Sequence, residues 1–260
     1  MLKDIIAGAE ASGIRVGLHA TRADGACIAH RGDEIFPSAS TIKLAIMIEL
    51  FRRVDAGALS LDQPHVLRPS DQAGGGGVLQ HMSRGLSLPL RDLCYLMMSL
   101  SDNLATNILI EQLGIAEINA TIRSLGLKHS VLARPMQGRP AIEGEQENLA
   151  TPAEVAHLVR CILDGSAAGA DSCRAMTRMM ALQQNGRRIG RFVPAGTPWG
   201  SKTGSYPTVV HDVGYVQLGE GPMIVAAFTQ DVPDIVAGEL LISEMVRVLL
   251  SSVEGAGWDR

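Results

Sequence analysis

Apolar positions along this chain follow two periods, and the periods fall into blocks. Residues 2–12 carry apolar side chains at helical spacing up to Gly13, whereas Ile14-Arg15-Val16-Gly17-Leu18-His19-Ala20 alternates as a half-buried strand does. A turn at Ala23-Asp24-Gly25 leads into Cys27-Ile28-Ala29-His30-Arg31, so residues 14–31 predict a hairpin. From Ser40 the pattern is helical: Leu44-Ala45-Ile46-Met47-Ile48-Glu49-Leu50-Phe51 is the most apolar helical stretch of the first half, and it ends near Gly57. Residues 58–75, broken by proline, serine, aspartate and glycine, read as a surface connection. The run 86–100 predicts a helix entered through Pro89; its apolar residues surround the axis, which marks it as the buried centre of a helical unit.

Ser101-Asp102-Asn103 closes that helix, and Leu104 to Ile110 begins another that stops at Gly114. Thr151-Pro152-Ala153-Glu154 combines a capping box with proline at the first helical position and starts a helix through Leu163; a further helix covers about 171–184. After a loop at 194–198, residues 199–204, 209–218 and 222–229 read as three consecutive strands, and a long apolar helix at 234–251 follows. Strands and helices at both ends of a helical middle predict an α+β chain: a sheet unit of 1–39 with 186–260, and an all-helical unit of 40–185 inserted between. Internal repeats are absent.

Composition narrows the function. With 260 residues, 46% of them hydrophobic, the chain can bury a sizeable core. A net charge of −4 and a pI near 6 leave no electrostatic footprint for nucleic acid or an anionic membrane, so a small-molecule or peptide substrate is expected. Asp4 and Glu10 interrupt the apolar start as no signal-peptide core would, and no run reaches membrane-span length. Cys27, Cys94, Cys161 and Cys173 show no metal or redox spacing and read as buried thiols of a reduced, cytoplasmic compartment. His19, His30, His65, His81, His129, His157 and His211 are scattered without metal-ligand spacing, so neither a metal nor another cofactor is expected. Gly74-Gly75-Gly76-Gly77 is no phosphate loop, since no strand precedes it and no Gly-Lys-Ser/Thr follows.

Three short stretches carry candidate chemistry. Ser40-Thr41-Ile42-Lys43 puts a hydroxyl at a helix mouth and an amine one turn on, a nucleophile with its own base. The same serine also suits a plain N-cap. Ser101-Asp102-Asn103 suits a helix-to-helix turn as well as a site, and Lys202-Thr203-Gly204 opens a strand-like run. The chain has four lysines against nineteen arginines, and two of the four, Lys43 and Lys202, lie in these stretches. Only a lysine among the two can lose its proton near neutral pH.

The three signatures, in this order, resemble those of class A β-lactamases and penicillin-binding proteins. The resemblance spans roughly residues 14–229. It implies a three-layer α/β/α fold, with an antiparallel sheet of about five strands, flanking terminal helices and an inserted helical subdomain. It further implies an acyl-enzyme on Ser40 with Lys43 as base, a proton relay through Ser101, amide binding by Asn103, carboxylate attraction by Lys202 and Thr203, and an oxyanion hole of Ser40 and Ser205 N–H groups beside Gly204. The glycine run then borders the substrate cleft, where class A enzymes usually carry an aromatic residue, and leaves that edge open or mobile.

Two departures stand out. The Glu-x-x-Leu-Asn segment that supplies the deacylation base is missing; helix-start alignment puts proline or methionine there, with Glu143 or Glu145 as replacements in a reshaped loop. His211 stands where many relatives have a carboxylate-binding arginine, a task for its protonated form only, or packs against its neighbours. The expected function is a serine hydrolase acting on an amide, lactam or ester, with slow β-lactam turnover. Its rivals are a true class A β-lactamase using Glu143 or Glu145, and a binding or sensor module on the same fold. Oligomeric state leaves no trace in the sequence.

Overall fold

The computed structural model describes residues 1–254. Helix α1 (Leu2–Ala11) leads into the hairpin of β1 (Arg15–Thr21) and β2 (Cys27–His30), paired from Leu18 with His30 to Thr21 with Cys27. After the two-residue β3 (Phe36–Pro37), a 3₁₀ turn, Ala39–Ile42, runs directly into α2 (Lys43–Asp55). The expected surface connection is partly structured: β4 (Pro64–Val66) pairs with β5 (Ser87–Pro89), and His65, Leu67 and Asp71 are buried there. Helix α3 (Leu90–Ser99) therefore begins only after Pro89.

Buried centrality belongs to α2, not α3. Nine consecutive residues of α2, Lys43 to Phe51, are buried, because α3, α4, α5, α6 and α7 all pack around it. α3 exposes Arg91 and Asp92 and is amphipathic, its apolar residues too few to cover every side. α4 (Asn103–Leu113) stops at Gly114, as the sequence predicts, and α5 (Ile115–Ser124) starts immediately. That helix is absent from the sequence reading, although Ile115, Ile118 and Ile122 carry its spacing.

β6 (Leu149–Ala150) pairs with β3, and α6 (Pro152–Asp164) and α7 (Ala170–Ala181) complete the helical layer. Thr151 caps α6 through the Glu154 N–H, but the reciprocal half of the capping box is not made. The Glu154 carboxylate instead accepts from the backbone N–H groups of Lys128, His129 and Ser130. β7 (Trp199–Tyr206), β8 (Val209–Leu218) and β9 (Gly221–Gln230) are the three predicted strands, and α8 (Ile235–Glu254) follows. The sheet order is β2-β1-β9-β8-β7, antiparallel throughout, so β7 is an edge.

Strict alternation gives the sheet two apolar faces. Val213 and Tyr215 of β8 join Ile224, Ala226 and Phe228 of β9 against the helical layer. Val210, Val216, Val225 and Ala227 face Ile6 of α1 and Ile242, Met245, Val246 and Leu249 of α8. The result is three layers around one sheet. Each fully buried aliphatic or aromatic side chain contributes about 1.5–3 kcal/mol, so these two clusters rather than any polar contact hold the layers together. Cys94, Cys161 and Cys173 are buried, while Cys27 is exposed on the hairpin, against expectation.

Candidate active site

A cavity of about 480 Å³ opens between the helical layer and the β7 edge. Ser40, Ser101, Asn103, Thr203 and Ser205 all line it, so the three signatures meet in space. Ser40 lies in the 3₁₀ turn behind Ala39, whose φ of 44° tips the chain into α2. Its hydroxyl takes no partner among the described residues and caps nothing, which removes the N-cap reading. The first residues of a helical turn have no intrahelical acceptor for their N–H groups, and a Cβ on Gly204 would sit 2.8 Å from the Ser40 nitrogen. Glycine at 204 is what lets β7 approach the Ser40 backbone.

Lys43 is fully buried, and its Nζ lies 2.7 Å from the Ser101 carbonyl, 3.2 Å from Ser101 Oγ and 2.9 Å from Asn103 Oδ1. Burial, reinforced by the positive charge of Lys202, holds its pKa well below that of an ordinary lysine, against a weaker pull from Asp102. The amine donates to the two carbonyl oxygens and to the Ser101 hydroxyl. Ser101 itself has φ 57°, a left-handed conformation that a non-glycine residue adopts at a cost of about 1 kcal/mol or more, and that conformation aims both its oxygens at Lys43.

Asp102, to which the sequence reading gave no task, ties this corner together. One oxygen caps α4 through the Ala105 N–H; the other accepts from Val78 and Leu79 N–H at 2.7 and 2.8 Å. Asn103 donates its side-chain amide to the Gly74 carbonyl, and its backbone N–H bonds Gly76. The glycine run is thus fastened, not open. Gly75 and Gly138 meet backbone to backbone across the cleft: a Cβ on Gly138, at φ 69°, would lie 2.3 Å from the Gly75 Cα.

Lys202 is fully buried beneath the cleft, its Nζ donating to the Thr203 carbonyl at 2.7 Å, so it is no surface lysine. Burial lowers its pKa to about 7, against the opposing charge of Asp212. His211 is not a substrate contact. It is fully buried, stacked on Phe228 at 3.9 Å, with Nε2–H donating to the Pro37 carbonyl and Nδ1 accepting from Thr229 N–H. Burial pushes its pKa down to about 4, which keeps it neutral and packed.

The cation on that side is Arg188, which sequence reasoning missed. Its buried guanidinium reaches the carbonyls of Gly204 and His211 at 3.1 and 2.6 Å, Ser205 Oγ at 3.3 Å and Glu239 of α8 at 3.2 Å. No local pattern marks it; the contact exists only once α8 folds back.

Glu143 and Glu145 do not line the cleft. Both are exposed, and Glu145 is held by the Arg139 guanidinium, which draws its carboxyl down to about 2. Glu147 does line it, but Arg134 and the N–H groups of Ala141 and Asn148 occupy its oxygens. Pro135 and Met136, the proline and methionine expected at the base position, both line the cleft; Met136 is 6% exposed, and its backbone N–H and carbonyl are both clamped by the Asn107 side chain at 2.7 and 3.0 Å. Asn107 stands one helical turn after Asn103, a spacing legible in the sequence. Among the described residues no group of three His, Cys, Asp or Glu side chains is placed to hold a metal ion, and no helix is long and apolar enough to cross a membrane.

Known proteins share this fold. The β-lactamase from Sphaerobacter thermophilus is similar over 96% of both chains, at 47% identity and a TM-score of 0.95. A mutant of PBP-A, solved as its acyl-enzyme complex with penicillin G, is similar over 97% of this chain and 96% of its own, at 28% identity and TM-score 0.88. β-Lactamase AST-1 of Nocardia asteroides is 30% identical over 250 residues, 93% of this chain and 80% of that protein. The family model of the β-lactamase enzyme family matches residues 1–253. A match of that extent, on a fold whose cleft gathers all three signatures around one unpartnered serine, makes this chain a serine hydrolase of the β-lactamase enzyme family.

Proposed function

We propose that the protein acylates Ser40 with β-lactams and related amides or esters bearing a carboxylate, and releases the acyl group slowly. The carrying observation is the cleft wall at Met136, a thioether where hydrolysis of the ester needs a carboxylate base. Ser40 Oγ attacks the carbonyl carbon and Lys43 takes its proton. The N–H groups of Ser40 and Ser205 hold the oxyanion, for which the Gly204 approach supports the geometry. As the C–N bond breaks, Ser101 delivers a proton to the leaving nitrogen and is resupplied from Lys43 Nζ, 3.2 Å away. Asn103 keeps one side-chain N–H for the substrate amide. Thr203, Ser205 and Arg188, with Lys202 behind them, attract the carboxylate in the role expected of His211.

A faster β-lactamase is the second reading, favoured by the 47% identity to the S. thermophilus enzyme. Intact-mass measurement after exposure to benzylpenicillin, with product release followed in parallel, separates the two. A long-lived adduct on wild type, absent in Ser40→Ala, is the expected result; adduct-free rapid turnover establishes the second reading. Met136→Glu should then speed release on the order of 100-fold, the usual worth of a placed general base. Adduct lifetime unchanged in that variant would show that the wall at Met136 does not limit release.

A further inference from the structure

We infer that the leaving-group side of the substrate carries two anionic groups, and that Arg187 is the residue selecting the second. Four arginines, Arg134, Arg139, Arg187 and Arg188, line the cleft, against one carboxylate, Glu147. Three of the four are committed: Arg134 to Glu147, Arg139 to Glu145 and Arg188 to Glu239. Arg187 is exposed, and its guanidinium has no ion pair or hydrogen bond among the described residues. Its backbone is nevertheless fixed, because Asn185 Oδ1 accepts the Arg187 N–H at 3.1 Å while Asn185 Nδ2 donates to Glu239 at 3.1 Å.

Position decides which part of a substrate Arg187 meets. It adjoins Arg188, whose Nη2 donates to Ser205 Oγ at the carboxylate end. Its other cleft neighbours there, Gln183, Gln184 and Asn185, are neutral, so no side chain compensates it. With Lys202 near Asp212 and Arg188 on Glu239, the inner pair of cations is balanced and serves one carboxylate. The outer cation has a counter-charge only when the ligand brings one. A dicarboxylate leaving group, such as an acylated acidic amino acid or a lactam with an anionic substituent on its leaving-group side, has that chemistry.

This inference rests on the acylation proposed above, and the test keeps the two apart. Acylation rates, read by intact mass at low salt, are compared for two cephalosporins that differ only in a neutral or a carboxylate-bearing substituent at C3, on the leaving-group side. Wild type is expected to favour the dianion about three- to fivefold, the range of an exposed ion pair, with the preference fading at high salt. Arg187→Ala should abolish the preference and Arg187→Glu reverse it, with the neutral cephalosporin acylating at its wild-type rate in Arg187→Ala. Equal rates for both compounds on wild type, or a preference that survives Arg187→Ala, overturns the inference alone. Failure of both compounds to acylate wild type overturns the reading beneath it.

Discussion

Two buried titratable side chains, Lys43 and His211, both have their pKa lowered by desolvation, yet they serve opposite ends. Lys43 donates to the hydroxyl and carbonyl oxygens of Ser101 at the edge of the cleft, whereas His211 has both nitrogens committed to backbone. The cost of His211 appears in acid. Its pKa is about 4 in the folded protein against 6.5 for an ordinary solvated histidine, so between those values the unfolded chain binds a proton that the native state refuses. Stability should therefore fall from pH 6.5 to pH 4, by roughly 3 kcal/mol from this residue. Urea midpoints measured across that window should slope less steeply in His211→Gln, even though that variant starts lower; parallel slopes would assign the acid lability elsewhere.

At the scale of elements, the cleft edge is made by two loops that touch at Gly75 and Gly138, where neither has a side chain. Gly138→Ala would place a Cβ against Gly75 and add the strain of a left-handed alanine, together about 1–2 kcal/mol, or a melting temperature roughly 2–6 °C lower. Gly76→Ala, with open space around its Cβ, should leave the melt unchanged. Matching melts for the two variants would mean that the contact carries no stability. This edge also shows where sequence reading stops. Four glycines signal a loop, but whether the loop is free or fastened depends on Asp102 and Gly138, residues 24 or more positions away in the chain. The signatures at Ser40, Ser101 and Lys202 were readable because backbone geometry places each within one local element; the loss of Glu143 and Glu145 was not, because a loop's course is set by what it packs against.

Across the whole molecule, the terminal helix reaches the site through one buried ion pair, Arg188 with Glu239. Removing the carboxylate strands a guanidinium in the interior, so Glu239→Gln should cost roughly 3 kcal/mol or more and slow acylation as well. Glu244→Gln, which breaks the exposed pair with Arg247 on the same helix, should change the denaturant midpoint little. Equal midpoint shifts in the two would deny Arg188 its anchoring role. The antiparallel sheet and the layer arrangement were legible as a resemblance of motifs; the order of the strands and the link from α8 to the cleft were not, since 51 residues separate Arg188 from Glu239 and neither stands in a motif.

The sheet order also sets a timetable for synthesis. β1 has two neighbours, of which β2 is made at once and β9 only about two hundred residues later. The turn holding Ser40 is likewise made well before the strand whose Gly204 rests on it. A nascent chain on the ribosome thus displays Ser40 long before the strand that packs against it exists, and the cleft is assembled only once β7, about 160 residues further along, has been made.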